Sequence, residues 1–470
     1  MNKKIMLSTI IGALFFAGCA GTTPDLGKFG KSGNYESSKK SGNYKALAEN
    51  MKKNQEDDLL WYMDAGLISR YAKDTNATTY FFDKSEDKIK QYDKEILAGT
   101  LLASAGAVLT NDTFMDYRPR IYEGIMVNTY KGLSFMEAGD NSNARVEFNR
   151  ALERQRRAKE FFAKEISQEK EKIKKEETEK IKKKKLDPNK VNNASNDRTK
   201  DTIEQKYSNL FAFKAYPDFV NPFSSYMAGL FFISTGDYAK ATDILKETYG
   251  MIKDNEEASN FVKSDLEYAL KSSASLNGVN REHYVWVVFA NGEGPSKEEL
   301  RFDIPLFLVT NKVSYTGIAL PTFKEKPLAY THLIVKNGEN SSATKQVASM
   351  DKIIKAEFQK RFPTIMTRAI TRTVAQSLIQ YQLRKEGGLV GGLLGAVYQG
   401  FMNRADTRQW KTLPKNFQIA RIELNSPQLN IVSPTGDRNI KLNVDINKNH
   451  IVYIRIPTKN SKEIVSEVSF

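Results

Sequence analysis

The chain has 470 residues, of which 40% are hydrophobic and 27% are charged, and its formal net charge is +15. This composition is ordinary for a folded protein and excludes fibrous and intrinsically disordered classes, while the length fits two or three domains of roughly 100–200 residues each. The single cysteine, Cys19, excludes an intramolecular disulfide and a multi-cysteine metal site.

The amino terminus has the pattern of a secretory signal. Lys3 and Lys4 give a positive start, and an almost unbroken apolar run follows at positions 5–16. This run is shorter than the roughly 20 apolar residues that span a bilayer, and it ends in small residues, as at a signal-peptide cleavage site. The sequence Phe-Ala-Gly-Cys at positions 16–19 resembles the lipobox of bacterial lipoproteins, with Phe where Leu is usual.

The lipobox resemblance implies a signal peptide at 1–18 and a mature chain that begins at an acylated Cys19. Two or more acyl chains hold a protein stably on a membrane. In the lipoproteins that it resembles, Asp after the cysteine tends to retain the protein in the inner membrane, and here that position is Ala20. We therefore expect a palmitate-bearing outer-membrane lipoprotein that faces the periplasm, and this location excludes nucleic acid as the partner of the basic chain.

Residues 19–44 are rich in Gly, Ser, Asn and Lys and poor in apolar residues. This composition predicts a flexible tether from the lipidated cysteine. A chain of this length and type reaches about 25 Å, so the folded part of the protein would stay close to its membrane.

Residues 45–280 have helical spacing, and two segments within them repeat each other with offsets of 3, 4, 5, 4 and 3 residues. The first contains Gly132, Phe135, Gly139, Ala144, Phe148 and Ala151, and the second contains Gly229, Phe232, Gly236, Ala241, Leu245 and Thr248. This pattern resembles the tetratricopeptide repeat, a helix–turn–helix of about 34 residues. Small residues would lie where the two helices cross, and large ones would fill the interface.

The helical region also contains a possible glycosylation motif and a strongly basic segment. The sequence Asp-Thr-Asn-Ala-Thr at 74–78 fits the acidic acceptor motif of some bacterial N-glycosylation systems, with Asn76 as the acceptor in an exposed loop. The segment Arg154–Lys206 holds 18 Lys and Arg against 11 Asp and Glu. Its low apolar content predicts a charged helical arm outside the core, which is either a solvated helix or a contact for peptidoglycan or anionic lipid.

From residue 281 the pattern changes to strands, and the chain reads as α+β overall. The apolar run 284–289 predicts a buried strand, and further strands are expected at 302–309, 313–319, 328–336, 417–424, 439–447 and 451–456. Between them a helical segment is expected at about 349–402, with a break or a new start at Pro363. Residues 281–470 are therefore predicted to form a mixed α/β domain with a helical insertion.

Three further stretches of the sequence, considered together with the lipobox, carry a resemblance to a protein family. The first lies at 111–112 with 122–123, 144–147 and 150, the second at 294–299 with 305 and 319–321, and the third at 405–410 with 413–414 and 420–421. Together they resemble an uncharacterised family of bacterial tetratricopeptide-repeat-containing lipoproteins. The resemblance implies no reaction, but some members are encoded near lipoproteins that resemble activators of peptidoglycan synthases, which points to the cell wall.

No motif indicates catalysis, a cofactor or a metal. The three histidines, His283, His332 and His450, are isolated, and the sequence contains no metalloprotease, phosphate-loop or serine-hydrolase motif. The polar cluster Asp406, Arg408 and Trp410 is more typical of a structural clamp at a helix end than of a catalytic pair.

These observations predict a scaffold for protein–protein interaction in the cell envelope, because repeat arrays present a concave binding surface. Other envelope proteins are the expected partners. Two alternatives stay within the envelope, namely a regulator of peptidoglycan synthesis and a flagellar or secretion-system accessory. A third belongs to another class, a hydrolase with a site near Asp406 and His332 in the C-terminal domain.

Overall fold

The computed structural model describes residues 35–100, 113, 115–183, 197–274, 282–305, 315–402 and 404–470. It is 54% helical and 19% strand, which confirms the mixed α and β content that the sequence predicts. The predicted signal peptide and the lipid-attachment site at Cys19 lie outside the described residues.

Ten α-helices precede the first strand in the part of the chain that the structure describes. They are α1 (Tyr35–Ser41), α2 (Lys45–Lys53), α3 (Leu59–Tyr71), α4 (Thr75–Ala98), α5 (Ile121–Glu137), α6 (Asn141–Lys183), α7 (Asp197–Phe211), α8 (Pro222–Ser234), α9 (Tyr238–Ile252) and α10 (Ser259–Ala274).

Three helical hairpins, α3–α4, α5–α6 and α8–α9, share one geometry. In each, a glycine of the first helix faces a large side chain that lies 16 positions later on the second helix. A Cβ atom on the glycine would lie 2.6, 3.1 or 2.7 Å from that side chain, in the pairs Gly66–Phe82, Gly132–Phe148 and Gly229–Leu245. The helices can therefore cross this closely only because the glycine has no side chain.

The turns of the three hairpins are also equivalent. The residue seven positions after each glycine has a left-handed backbone, and these residues are Lys73, Gly139 and Gly236. The next residue is an aspartate whose side chain accepts a hydrogen bond from a backbone N–H three positions later, at Asp74, Asp140 and Asp237. The aspartates thus cap the second helices.

The predicted packing residues lie at the hairpin interfaces. Ala144, Phe148, Phe232 and Ala241 are fully buried, and Phe135 packs partly buried against the same core. The structure therefore contains three copies of the repeated hairpin, one more than the two that the sequence alignment identifies with matched offsets. Whether these hairpins are tetratricopeptide repeats stays a prediction.

The C-terminal residues form eleven described strands and one long helix. They are β1 (Tyr284–Asn291), β2 (Ser296–Pro305), β3 (Tyr315–Lys324), β4 (Ile334–Asn337), β5 (Asn340–Ala343), β6 (Lys345–Ser349), α11 (Met350–Met402), β7 (Asn416–Glu423), β8 (Gln428–Val432), β9 (Asn439–Asn443), β10 (His450–Ile456) and β11 (Ile464–Ser469).

The strands form three sheets. A five-stranded sheet has the order β11-β10-β1-β7-β6, a four-stranded sheet has the order β5-β4-β8-β9, and β2 pairs with β3. Within the five-stranded sheet β1 and β10 run parallel, with Val285 opposite His450, and the other neighbours are antiparallel.

The five-stranded sheet is buried on both faces, which explains the apolar run of β1. Trp286, Val288 and Ala290 belong to the core that the sheet shares with the helices. The alternate residues Val285, Val287 and Phe289 pack with the four-stranded sheet. Because successive side chains of a strand point to opposite faces, a strand between two apolar layers has no polar face. The protein thus has a helical layer, a central sheet and an outer sheet.

Residues on both sides of the predicted boundary at 280 share one core. The ring of Phe223 on α8 stacks on Phe417 of β7 with 3.4 Å between centroids. The indole N–H of Trp286 on β1 donates to Asp265 on α10 over 2.9 Å. The helical layer and the sheet are therefore packed against each other through side chains rather than joined by a linker alone.

The predicted tether at 19–44 is wrong for its last ten residues. Residues 35–41 form α1, and Tyr35 and Tyr44 are buried in the main core, at 5% and 1% exposure. The Lys39 ammonium donates to Glu293 over 2.7 Å. Two aromatic rings and a buried ion pair hold this segment, although its composition is typical of a flexible chain.

The prediction that Arg154–Lys206 lies outside the core is also wrong for much of the segment. Glu165 and Ile173 on α6 are buried, at 1% and 3% exposure. At the other end Ile203 is buried together with residues of α11. The Lys182–Lys185 run continues beyond α6, and residues 184–196 lie outside the described part of the chain.

Two further expectations differ from the structure. Pro363 lies within α11, which continues through it rather than breaking. Strands β5, β6, β8 and β11 were not expected, and the strand predicted at 328–336 begins only at Ile334. Short strands such as β5 and β6 carry too few residues for a period to be detected.

Candidate functional site

A charged cavity of about 90 Å³ lies where α5, α6, β2, β3, α11 and the segment after α11 meet. We define the charged cavity by its basic side chains, Arg118, Arg120, Lys297, Arg361, Arg368, Arg372 and Arg408, and by its acidic ones, Asp116, Glu169, Glu357 and Asp406. Four of these side chains, Glu169, Glu357, Arg361 and Arg372, are buried, and charged side chains are rarely buried unless they are paired.

Arg361 is held by two carboxylates. Its guanidinium donates two hydrogen bonds to Glu165, at 2.8 and 2.7 Å, and a third to Glu357 at 3.0 Å. The Glu357 carboxylate also accepts from the backbone N–H groups of Ile121 and Tyr122, at the first turn of α5. A carboxylate at a helix amino terminus is stabilised by the exposed N–H groups and the helix dipole. The negative charges of Glu165 and Glu357 are therefore stabilised by the Arg361 guanidinium and, for Glu357, also by the first N–H groups of α5.

Glu169 and Asp406 are also paired. Glu169 lies 2.6 Å from Arg118 and 3.4 Å from Arg368. Asp406 accepts from the Arg408 guanidinium at 2.9 Å, and Arg408 further donates to the carbonyl of Met115 at 2.7 Å. Burial alone would raise the pKa of Asp406, but the hydrogen bonds and charge of Arg408 hold it below its usual range.

The predicted cluster of Asp406, Arg408 and Trp410 is thus divided between two places. Asp406 and Arg408 form an ion pair at the cavity, and Arg408 ties that pair to residue 115 before α5. Trp410 is buried elsewhere, between Phe82 and Tyr130, and its indole N–H donates to Thr412 at 2.8 Å. These contacts are structural in kind, and they join the C-terminal segment to the hairpins.

Arg120 and Lys297 line the cavity without an ion pair, although the charges of Glu357 and Glu123 help to hold the pKa of Arg120 above its ordinary range. Within the described residues neither forms an ion pair with a carboxylate. The Lys297 ammonium donates only to the backbone carbonyl of Arg408, at 3.1 Å. Burial, and then the positive charge of Arg120, lower the pKa of Lys297 to about 8, although the charges of Asp406, Glu123 and Glu357 act in the opposite direction.

Most of the remaining wall of the charged cavity is apolar. It is formed by Leu320 and Phe323 of β3 and by Ile354 and Phe358 of α11. Phe323 and Phe358 pack edge to face, with 5.1 Å between their centroids. The cavity therefore joins a charged wall to a mostly apolar one, in which Thr364 and Tyr122 supply the hydroxyl groups.

A second feature, which we call the helical groove, lies between α4 and α6. Its volume is about 580 Å³, within the range of roughly 300–1,000 Å³ that is typical of ligand pockets. It is lined by basic residues (Lys90, Arg120, Arg150, Arg154, Arg157 and Lys164) and by acidic ones (Glu86, Asp93, Glu153, Glu160 and Glu165). The Leu97 side chain, 60% exposed, adds an apolar patch.

The structure does not place His332 beside Asp406. His332 does not line the charged cavity with Asp406, and its ring contacts the hydroxyl of Thr331 instead. His450 bridges Glu467 at 2.7 Å and the carbonyl of Asp445 at 2.8 Å. Among the residues that the structure describes, no cluster of His, Cys, Asp or Glu could hold a metal ion.

The prediction that Asn76 lies in an exposed loop is wrong. Asn76 is exposed, but it is the second residue of α4. Asp74 is the N-cap of that helix, and the hydroxyl of the buried Thr78 donates to the carbonyl of Asp74 at 2.8 Å. The acidic and hydroxyl residues of the motif thus have structural roles, which explains their spacing without glycosylation.

Comparison with known proteins gives no relative, because no protein-family model, curated protein or solved structure matches this chain.

Sequence reasoning did not identify Arg120, Lys297 and Glu357. Lys297 and Ala319 lie in the second of the three stretches that carry the family resemblance, Asp406 lies in the third, and Tyr122 lies in the first. These stretches meet around the charged cavity, so their co-occurrence was the signal that could have located it.

Proposed function

We propose that the protein is a lipid-anchored scaffold of the bacterial outer membrane, which faces the periplasm and binds a segment of another envelope protein. The observation that carries the binding part of this proposal is the helical groove, with its volume of about 580 Å³ between two long helices. Its mixture of both charge signs with exposed Leu97 suits an amphipathic polypeptide segment more than a small apolar ligand.

The three equivalent hairpins support this proposal. Repeated helical hairpins that stack side by side present a continuous surface made of helix faces, and such surfaces bind partners. The glycine crossings and aspartate-capped turns are features that a tetratricopeptide array would have. We therefore propose that the hairpins form such an array.

The membrane part of the proposal depends on the lipobox. Within the described residues no helix is both long and apolar enough to cross a bilayer. Attachment would come from the acyl chains on Cys19, the only cysteine of the chain. We propose that residues 20–34 connect the lipid to α1.

We propose a binding protein rather than an enzyme. The hydrolase alternative placed its site near Asp406 and His332, and Asp406 is instead engaged with Arg408. A regulator of peptidoglycan synthesis and a flagellar or secretion accessory remain members of the proposed class, since they differ from it only in the identity of the partner.

Lipid attachment is tested by the substitution Cys19→Ala. We expect the wild type to take up labelled palmitate and to fractionate with the outer membrane, because the acyl chains supply the anchor. The variant should take up no label and should be soluble or unprocessed. Label retained on the variant would contradict the proposal.

Groove binding is tested with the double variant Leu97→Asp, Arg157→Glu. Both side chains line the helical groove and are largely exposed, at 60% and 74%, so the changes should not affect folding. Partners that co-purify with the wild type from solubilised membranes should be lost. The matched control is Leu270→Asp on α10, which is 48% exposed and away from the groove. Equal recovery with both variants would refute groove binding.

A further inference from the structure

The five-stranded sheet ends at an exposed edge strand, β11. All residues of the neighbouring strand β10 are buried, whereas none of the six residues of β11 is. The apolar side chains of Ile464, Val465 and Val468 are only half-buried against the two cores. At the opposite edge, the backbone N–H of Ala258 donates to the carbonyl of Gln346 on β6 over 3.0 Å. The described part of the chain thus bonds to one edge of its main sheet and leaves the other exposed.

The hydrogen-bond pattern shows which backbone groups of β11 face this edge. Asn449 and Phe470 each donate to the carbonyl oxygen of the other, both over 3.0 Å. Hydrogen-bonded pairs alternate with non-hydrogen-bonded pairs along antiparallel strands, so the register of β10 with β11 places Val465 and Glu467 in non-hydrogen-bonded pairs. Their N–H and C=O groups therefore point away from β10, toward the exposed edge.

The strand β11 lacks the features that usually keep an edge strand from pairing, which are lysine, proline, a bulge or a very short length. Its sequence is Ile-Val-Ser-Glu-Val-Ser, and its register with β10 is continuous. Its charged residue, Glu467, contacts the ring of His450 at 2.7 Å. By contrast β9, an edge strand of the outer sheet, carries the exposed Lys441 at its centre. The edge of β11 is therefore suited to another strand.

We propose that β11 pairs antiparallel with β11 of a second copy of this chain, so that the two five-stranded sheets become one continuous sheet across a twofold axis. Ser466 lies at the axis. Val465 forms a hydrogen-bonded pair with Glu467 of the partner subunit, and Glu467 forms one with Val465 of the partner subunit, because these residues carry the outward-pointing backbone groups. This pairing does not depend on the helical groove or on the lipid anchor.

The side chains of β11 fit this register. On the face toward the helices, Ile464 lies opposite Val468 of the partner subunit, which covers apolar side chains that a single copy leaves half-exposed. Apolar pairs across neighbouring strands stabilise a sheet. If the axis lay at Glu467 instead, the two Glu467 carboxylates would be directly opposite each other, and like charges in that position are destabilising. Charge and apolar contact therefore favour the axis at Ser466.

Cysteine crosslinking tests this register on the chain that begins at residue 20, which contains no natural cysteine. Ser466→Cys places two thiols at the axis, where paired Cα atoms would be about 4.5 Å apart, within the range of about 4.4–6.8 Å that a disulfide spans. We expect mild oxidation to give a disulfide-linked dimer. The matched control is Ser469→Cys, the same change on the same strand at a more exposed residue away from the axis. Equal crosslinking of both variants would overturn the proposal.

Sedimentation velocity tests the dimer itself. Two strands of this length make a small interface, so we expect a reversible, concentration-dependent dimer rather than an obligate one. Val465→Pro should raise its dissociation constant at least tenfold, because it removes an N–H that points to the exposed edge and not to β10. Lys441→Pro on β9 is the matched control, since by the same alternation its N–H points away from β8, and it should dimerise as the wild type does.

Circular dichroism checks that each proline variant is folded. If Val465→Pro is not, Val465→Lys replaces it, because this change keeps the backbone and adds a charge that opposes edge pairing. The proposal is overturned if the wild-type chain stays monomeric at concentrations up to about 100 µM, or if the folded Val465 variant dimerises as strongly as the wild type.

Discussion

The substitution Glu165→Ala tests the finding that the charged segment of α6 belongs to the core. Glu165 is 1% exposed and accepts two hydrogen bonds from Arg361, which is itself buried at 4% exposure, and a third from the hydroxyl of Tyr92 at 2.7 Å. Removing one partner of a buried ion pair leaves the other charge uncompensated, which costs about 3–5 kcal/mol. Because Arg361 keeps Glu357, we expect a loss near 3 kcal/mol.

The assay is urea unfolding followed by far-ultraviolet circular dichroism, with Glu171→Ala as the matched control. Glu171 lies on the same helix, is 55% exposed and pairs with Lys175 at 2.8 Å. Exposed pairs contribute about 0–1 kcal/mol, so the control should shift the midpoint little. Equal midpoints for the two variants would refute the conclusion that this part of α6 is structural.

Three further predictions concern the hairpins and the buried aspartate. Gly229→Ala should destabilise by about 1–3 kcal/mol through overpacking against Leu245, whereas Gly250→Ala, with nothing near its Cβ, should stabilise by up to about 1 kcal/mol in the same urea assay. Lys73→Gly should stabilise by about 1 kcal/mol, because Lys73 has a φ of 59°; an unchanged midpoint would contradict this. Burial raises the pKa of Asp64 to about 7 from 3.8, so the folded state binds more protons than the unfolded state in that window. Stability should therefore fall as pH rises from about 4 to 7, by up to about 1.4 kcal/mol per unit, and Asp64→Asn should flatten the profile of melting temperature against pH.

Individual helices and strands could be predicted from the sequence where one hydrophobic periodicity dominates. The matched offsets around Gly132 and Gly229 located two hairpins, because a glycine crossing imposes the same spacing each time. The third hairpin was less visible, since Lys73 replaces the turn glycine and Gly66 faces Phe82 without the other matching residues. The apolar run at 284–289 predicted a buried strand, and the structure shows that β1 is buried on both faces.

Long-range pairing could not be read from the sequence. Glu165 and Arg361 are 196 residues apart, and nothing local distinguishes Glu165 from the exposed glutamates beside it on α6. The same holds for the charged cavity, whose lining comes from the segment before α5, from α6, from β2 and β3, and from α11. The tether and arm predictions were wrong for this reason, because composition reports average polarity and not the partners of individual charges.

Site-specific photo-crosslinking in living cells tests the central claim, that the helical groove binds a partner at the membrane. A photoreactive residue replaces Leu97 in the groove or, as control, Leu270 on α10, in the chain that retains Cys19. The account predicts a discrete adduct with an envelope protein from position 97 that is absent from position 270. No adduct at position 97, or the same adducts at both positions, would contradict it.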